Sequence, residues 1–103
     1  MKIYLDDLRE APEGWVRVDH PNQVISYILQ GKAEVIDLDY HLGDDSDYTG
    51  LTVLKWLMNE ILEGRTPQVV PEILIHTGDS EAELVMEQIR SRIYQWIGRD
   101  AAE

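Results

Sequence analysis

Three short apolar runs punctuate the chain, and each ends in polar residues. Residues 2–5 run into Asp6 and Asp7, residues 35–38 into Asp39, Tyr40 and His41, and residues 73–75 into His76, Thr77 and Gly78. Runs this short, rich in Ile, Leu, Val or Tyr and bounded by turn formers, read as buried parallel strands. Residues 15–18 (Trp-Val-Arg-Val) alternate and add a fourth, more exposed strand. Helical periodicity fills the gaps. His20-Pro21 opens a segment with Val24, Ile25, Ile28 and Leu29 on one face, closed by Gly31. Leu51, Leu54, Leu57, Met58 and Ile61 form a second stripe, closed by Gly64. A capping box at Ser80-Glu81-Ala82-Glu83 starts a third, with Met86, Ile89, Ile93 and Ile97, closed by Gly98.

The predicted order is strand, strand, helix, strand, helix, strand, helix. Such alternation implies a parallel sheet with right-handed crossovers. Residues 9–14, with Pro12 and Gly14, are too short and broken for a helix. Residues 43–50 carry Asp44, Asp45 and Asp47 and read as a solvated acidic loop. One domain over residues 1–98 is expected, with 99–103 as a frayed tail.

Charge narrows the chemistry. The 103 residues hold 20 acidic and 9 basic side chains, a formal net charge of −11. Duplex DNA would be repelled by most of this surface, whereas a cation, a metal or a basic protein would be attracted. There is no cysteine, so disulfides, thiol catalysis and thiolate zinc sites are excluded. No apolar run approaches the roughly 20 residues of a membrane helix. The N-terminus lacks the apolar stretch of a signal peptide. A soluble cytoplasmic protein is the expectation.

In an open parallel sheet, ligands bind beyond the carboxyl ends of the strands. Asp6, Asp7, Asp39, His41, His76 and Thr77 are expected to converge there. Carboxylates that close raise the cost of ionising one another. A hard cation such as Mg²⁺ (or Mn²⁺) relieves that conflict and keeps coordination positions for phosphate oxygens. Blander roles compete. Asp pairs also form turns and cap helices, and Asp44, Asp45 and Asp47 read as solvated. His20 reads as a helix-start residue. His76 is either a packed, hydrogen-bonded ring or an acid/base group. Thr77 either binds phosphate or closes a strand, and Trp56 and Trp96 read as packing residues.

With these residues in place, the chain resembles a receiver domain of two-component signalling. Receivers carry an acidic pair after the first strand, here Asp6-Asp7. A phosphoacceptor Asp follows a later buried strand, here Asp39, and a Ser or Thr the next, here Thr77. A Gly leading into a helix after the acceptor matches Gly50. The closer resemblance is to a shortened offshoot, the receiver-like family predicted to process cyclic phosphates. Its patterns are similar to Leu5-Asp6-Asp7-Leu8-Arg9 with Pro12, Gly14 and Trp15, to Leu38-Asp39-Tyr40-His41-Leu42-Gly43, and to His76-Thr77. The resemblance implies a three-layer, flavodoxin-like α/β fold. Its four-stranded parallel sheet has the order 2-1-3-4 and lacks the fifth strand and last helix of a receiver. The chain departs from the receiver pattern in having lysine only at positions 2, 32 and 55, none placed to contact a phosphoryl group. It departs from the offshoot in having Tyr40-His41 where that family has His-Asp.

The expected function is metal-dependent phosphoester processing, on a 2′,3′-cyclic phosphate or an RNA end. Asp6, Asp7 and Asp39 would hold the metal. Asp39, His76 and His41 would act in catalysis, and Arg9 and Thr77 would hold phosphate oxygens. A non-catalytic signalling or binding module is the alternative. It includes a homodimer formed along the strand edge at residues 73–75. A third reading, an acidic mimic of nucleic acid, rests on charge alone.

Overall fold

A computed structural model of the chain describes residues 1–40 and 49–98. His41, the acids Asp44, Asp45 and Asp47, and the tail 99–103 lie outside the described residues. The elements are β1 (Lys2–Leu5), β2 (Val16–Val18), α1 (Pro21–Leu29), β3 (Val35–Leu38), α2 (Gly50–Leu62), β4 (Glu72–Ile75) and α3 (Ser80–Trp96). All strand pairs are parallel and the sheet order is β2-β1-β3-β4. This is the expected shortened receiver arrangement.

Side-chain alternation divides the sheet into two unlike faces. Ile3, Leu5, Val18, Ile36, Leu38 and Ile73 are buried. They form one core with Val24 and Ile28 of α1, Val53, Leu54 and Leu57 of α2, and Met86 and Ile93 of α3. The other face presents Lys2, Tyr4, Arg17, Asp37, Glu72 and Leu74, of which Tyr4 alone is buried. The connections explain the asymmetry. The steps β2-α1-β3 and β3-α2-β4 run the same way across the sheet, so right-handed crossovers put α1 and α2 on one side. α3 packs on α2 and β4. The step from β1 to β2 runs the other way, and no helix is interposed. The second outer layer is therefore irregular chain, residues 6–15, whose Trp15 meets the Tyr4 ring edge-on at 6.3 Å.

The helix starts show local chemistry at work. His20 caps α1: its ring accepts from the Asn22 N–H, and Gln23 reaches back to the His20 N–H. The reading of His20 as a helix-start residue holds. The α3 cap is Asp79, one residue before the expected Ser80. The Asp79 carboxylate accepts from the N–H groups of Glu81 and Ala82. Its carboxylate also places negative charge at the positive end of the helix dipole.

Further hydrogen bonds tie the helices to the sheet. The Gly50 N–H donates to the Asp39 carbonyl at 2.8 Å, and a Cβ at Gly50 would collide with that oxygen. Only glycine lets α2 start so close to the end of β3. At the β4 edge, the outward Ile73 N–H donates to the Tyr94 hydroxyl at 2.7 Å, and Arg90 donates to the Ile73 carbonyl at 3.3 Å. Side chains of α3 thus occupy the backbone groups through which another strand would pair at that residue. Among the described residues, no helix is long and apolar enough to cross a membrane.

Candidate functional site

The parallel register places Leu5, Leu38 and Ile75 side by side. The next residue on each strand is Asp6, Asp39 or His76. Backbone bonds continue the ladder there, from Asp39 N–H to Leu5 at 3.2 Å and from His76 N–H to Leu38 at 3.0 Å. Period-two alternation sends these three side chains to the face that carries Tyr4 and Asp37. One donor atom from each of Asp6, Asp39 and His76 lies within 4.8 Å of the others.

Asp6 is 1 % exposed. Its Oδ1 accepts from the N–H groups of Leu8 and Arg9 at 2.8 and 2.9 Å, a turn closed by the side chain itself. Its Oδ2 faces His76 Nε2 at 3.1 Å. Burial works to raise the Asp6 pKa. The N–H groups of Arg9 and Leu8, together with His76, overcome it and hold the carboxyl below its ordinary range. Asp39 is also buried. Burial and the neighbouring Asp6 charge push its pKa up. Two acids one strand apart thus titrate in opposite directions, because one is solvated by backbone donors and the other is left closer to bare.

His76 is held from three sides. Nδ1 lies 2.6 Å from Asp37 Oδ1, and Nε2 faces Asp6. The Tyr4 ring stacks on the imidazole at 4.5 Å with 2° between the planes. Burial alone would lower the histidine's pKa; the bonds and charges of Asp37 and Asp6 raise it. Burial and the charges of Asp6 and Asp37 likewise raise the Tyr4 phenol.

The other expected site residues divide. Arg9 is 58 % exposed, with Nε 3.9 Å from Asp6 Oδ2, so its guanidinium borders the cluster. The Thr77 hydroxyl accepts from the Asp79 N–H at 3.2 Å and closes the turn into α3. Among the described residues, Asp7 stands outside the group of three, and its buried Oδ1 has no hydrogen-bond partner. His41 lies outside the described residues. Sequence reasoning missed Asp37 and Tyr4. A signal was available: Asp37 is the one charge inside an apolar run, two residues before Asp39 and therefore on its face.

Two buried carboxylates and an imidazole converging on one point form a donor set that could hold a divalent cation, with Arg9 at its border. Comparison with curated proteins and with solved structures gave no match. A family model describing the cyclic-phosphate processing receiver domain matches residues 1–92. With nine-tenths of its length so matched and its acidic cluster at the strand ends, the chain belongs to the cyclic-phosphate processing receiver family.

Proposed function

We propose that the protein is an enzyme of phosphoester chemistry, acting on a 2′,3′-cyclic phosphate or an RNA end at the carboxyl edge of its sheet. The observation that carries this reading is the convergence of Asp6, Asp39 and His76 within 4.8 Å, bordered by Arg9. Asp6 and Asp39 would hold a divalent cation. When bound, that ion polarises a phosphoryl oxygen and acidifies a bound water. The chain's own residues do the rest. Asp6, fixed by two backbone donors, keeps its charge aimed at the cluster. Asp39 would give up the cost of its buried charge when paired with a cation. Arg9 supplies a planar fork for nonbridging oxygens. The Thr77 hydroxyl adds a donor at the adjacent strand end. Without the cation the cluster repels phosphate, so substrate binding should depend on metal.

The test is turnover of a panel of 2′,3′-cyclic nucleotides and RNA 3′-cyclic ends, with Mg²⁺ or Mn²⁺, by wild type and Asp39→Asn. Ring opening that needs metal and falls at least a hundredfold in the variant supports the enzyme. Folded protein that binds metal through Asp39 yet turns over none of the panel would overturn it in favour of a non-catalytic signalling module.

A further inference from the structure

Resting on that reading of the cluster as a cation site, we infer that His76 is itself a ligand, through Nε2, with Asp37 holding it in place. The site then favours a borderline transition metal such as Zn²⁺ over Mg²⁺. Three observations carry this. First, the residues that converge are not the three carboxylates expected from the sequence. His76 stands where Asp7 was expected, so the donor set is two oxygens and a nitrogen. Mg²⁺ prefers oxygen throughout, whereas imidazole suits zinc and its neighbours.

Second, the donors lie close enough to share one ion. Asp6 Oδ2 and His76 Nε2 are 3.1 Å apart. Ligands bound at about 2.1 Å in a tetrahedral array lie about 3.4 Å apart, so this pair suits one ion, and the third donor lies within 4.8 Å of both.

Third, His76 is prepared from behind. Asp37 Oδ1 lies 2.6 Å from Nδ1, so the ring's one N–H in its neutral form belongs on Nδ1 and the Nε2 lone pair faces the carboxylates. This is the carboxylate–histidine–metal arrangement that fixes both tautomer and ring angle. The parallel stack on Tyr4 resists rotation of the ring out of that plane.

The experiment is a calorimetric titration of Mg²⁺, Mn²⁺ and Zn²⁺ into the full chain as wild type, His76→Ala, Asp37→Asn and Asp39→Asn. Circular dichroism confirms that each is folded. In parallel, nitrogen resonances of ¹⁵N-histidine-labelled protein are followed, with the His76→Ala sample assigning His76. Two effects are expected in the variants. His76→Ala should lower the Zn²⁺-to-Mg²⁺ affinity ratio at least tenfold while Mg²⁺ binding changes little. Asp37→Asn should weaken Mn²⁺ and Zn²⁺ by about 10–100-fold. Zn²⁺ should shift the His76 Nε2 resonance, and Mg²⁺ should not. An unchanged ratio in His76→Ala, or an unmoved Nε2 resonance at Zn²⁺ saturation, overturns the inference. If Mg²⁺ binding still needs Asp39 in that case, the cation site itself stands. If no cation binds the wild type, the reading of the site falls and this inference with it.

Discussion

Ile36 and Asp37 are neighbours in β3, yet they belong to different parts of the molecule. Ile36 is fully buried beneath the helices, while Asp37 lies on the opposite face bonded to His76. The same division runs through β1, where Ile3 and Leu5 enter the core and Tyr4 stacks on the imidazole. One face is continuous hydrocarbon, closed by three helices. The other is covered by a loop and by polar contacts between strands. The helix-covered face therefore carries the stability of the fold. The loop-covered face, with that stability supplied from behind, can collect buried acids that would weaken a core.

That comparison can be broken from either side. The largest effect is expected on the helix-covered face. Leu38→Ala removes a side chain with no exposure and should cost about 2–5 kcal/mol, read as a fall in the urea midpoint. Next comes the edge. Tyr94→Phe leaves the Ile73 N–H without its acceptor and should cost about 1–3 kcal/mol. It also frees part of the β4 edge, so light scattering should show more self-association than in wild type. If wild type is already a dimer that the variant leaves unchanged, α3 does not guard that edge.

The loop-covered face should answer to pH instead. In metal-free protein the His76 pKa is raised by Asp37 and Asp6 against the effect of burial. That pairing stabilises fully below the ordinary histidine value of about 6.5 and is lost as pH rises through the raised value. The melting temperature should therefore fall across that window, and Asp37→Asn should flatten the slope. Asp6 works in the opposite sense: its pKa is lowered, so its contribution disappears only as pH drops through that lowered value. A pH slope identical in wild type and Asp37→Asn would mean that the 2.6 Å contact does not govern His76. The smallest effect is expected at Leu74, 36 % exposed on the same face. Leu74→Ser should shift stability by no more than about 0.5 kcal/mol.

Much of this was legible in the chain because burial and periodicity are local. The apolar runs ending in Asp6, Asp39 and His76 announced three strands and the polar tips beyond them, although the edge strand β4 is less buried than expected. The spacing of Leu54, Leu57 and Ile61 announced a helix. The parallel order 2-1-3-4 followed from alternation and the family pattern. Asp7 and Asp6 could not be ranked, because adjacent residues after a strand differ only in where the turn sends them. Asp6 bonds back to Leu8 and Arg9 and faces inward; Asp7 does not join the group. Thr77 was likewise ambiguous between phosphate binding and closing a strand, and the structure uses its hydroxyl in the turn into α3.

The sequence by itself determined which residues reach the carboxyl edge, since a run of buried residues must end somewhere and its end is written in polarity. Tertiary structure alone decided which of them meet. Strand register aligned Asp6, Asp39 and His76 in one row. The direction of the crossovers left the opposite face to a loop, and that gave Asp37 and Tyr4 a histidine to hold. Register and handedness are properties of paired strands and of chain paths between them. No single stretch of residues carries them, so they appear only when the sheet is assembled.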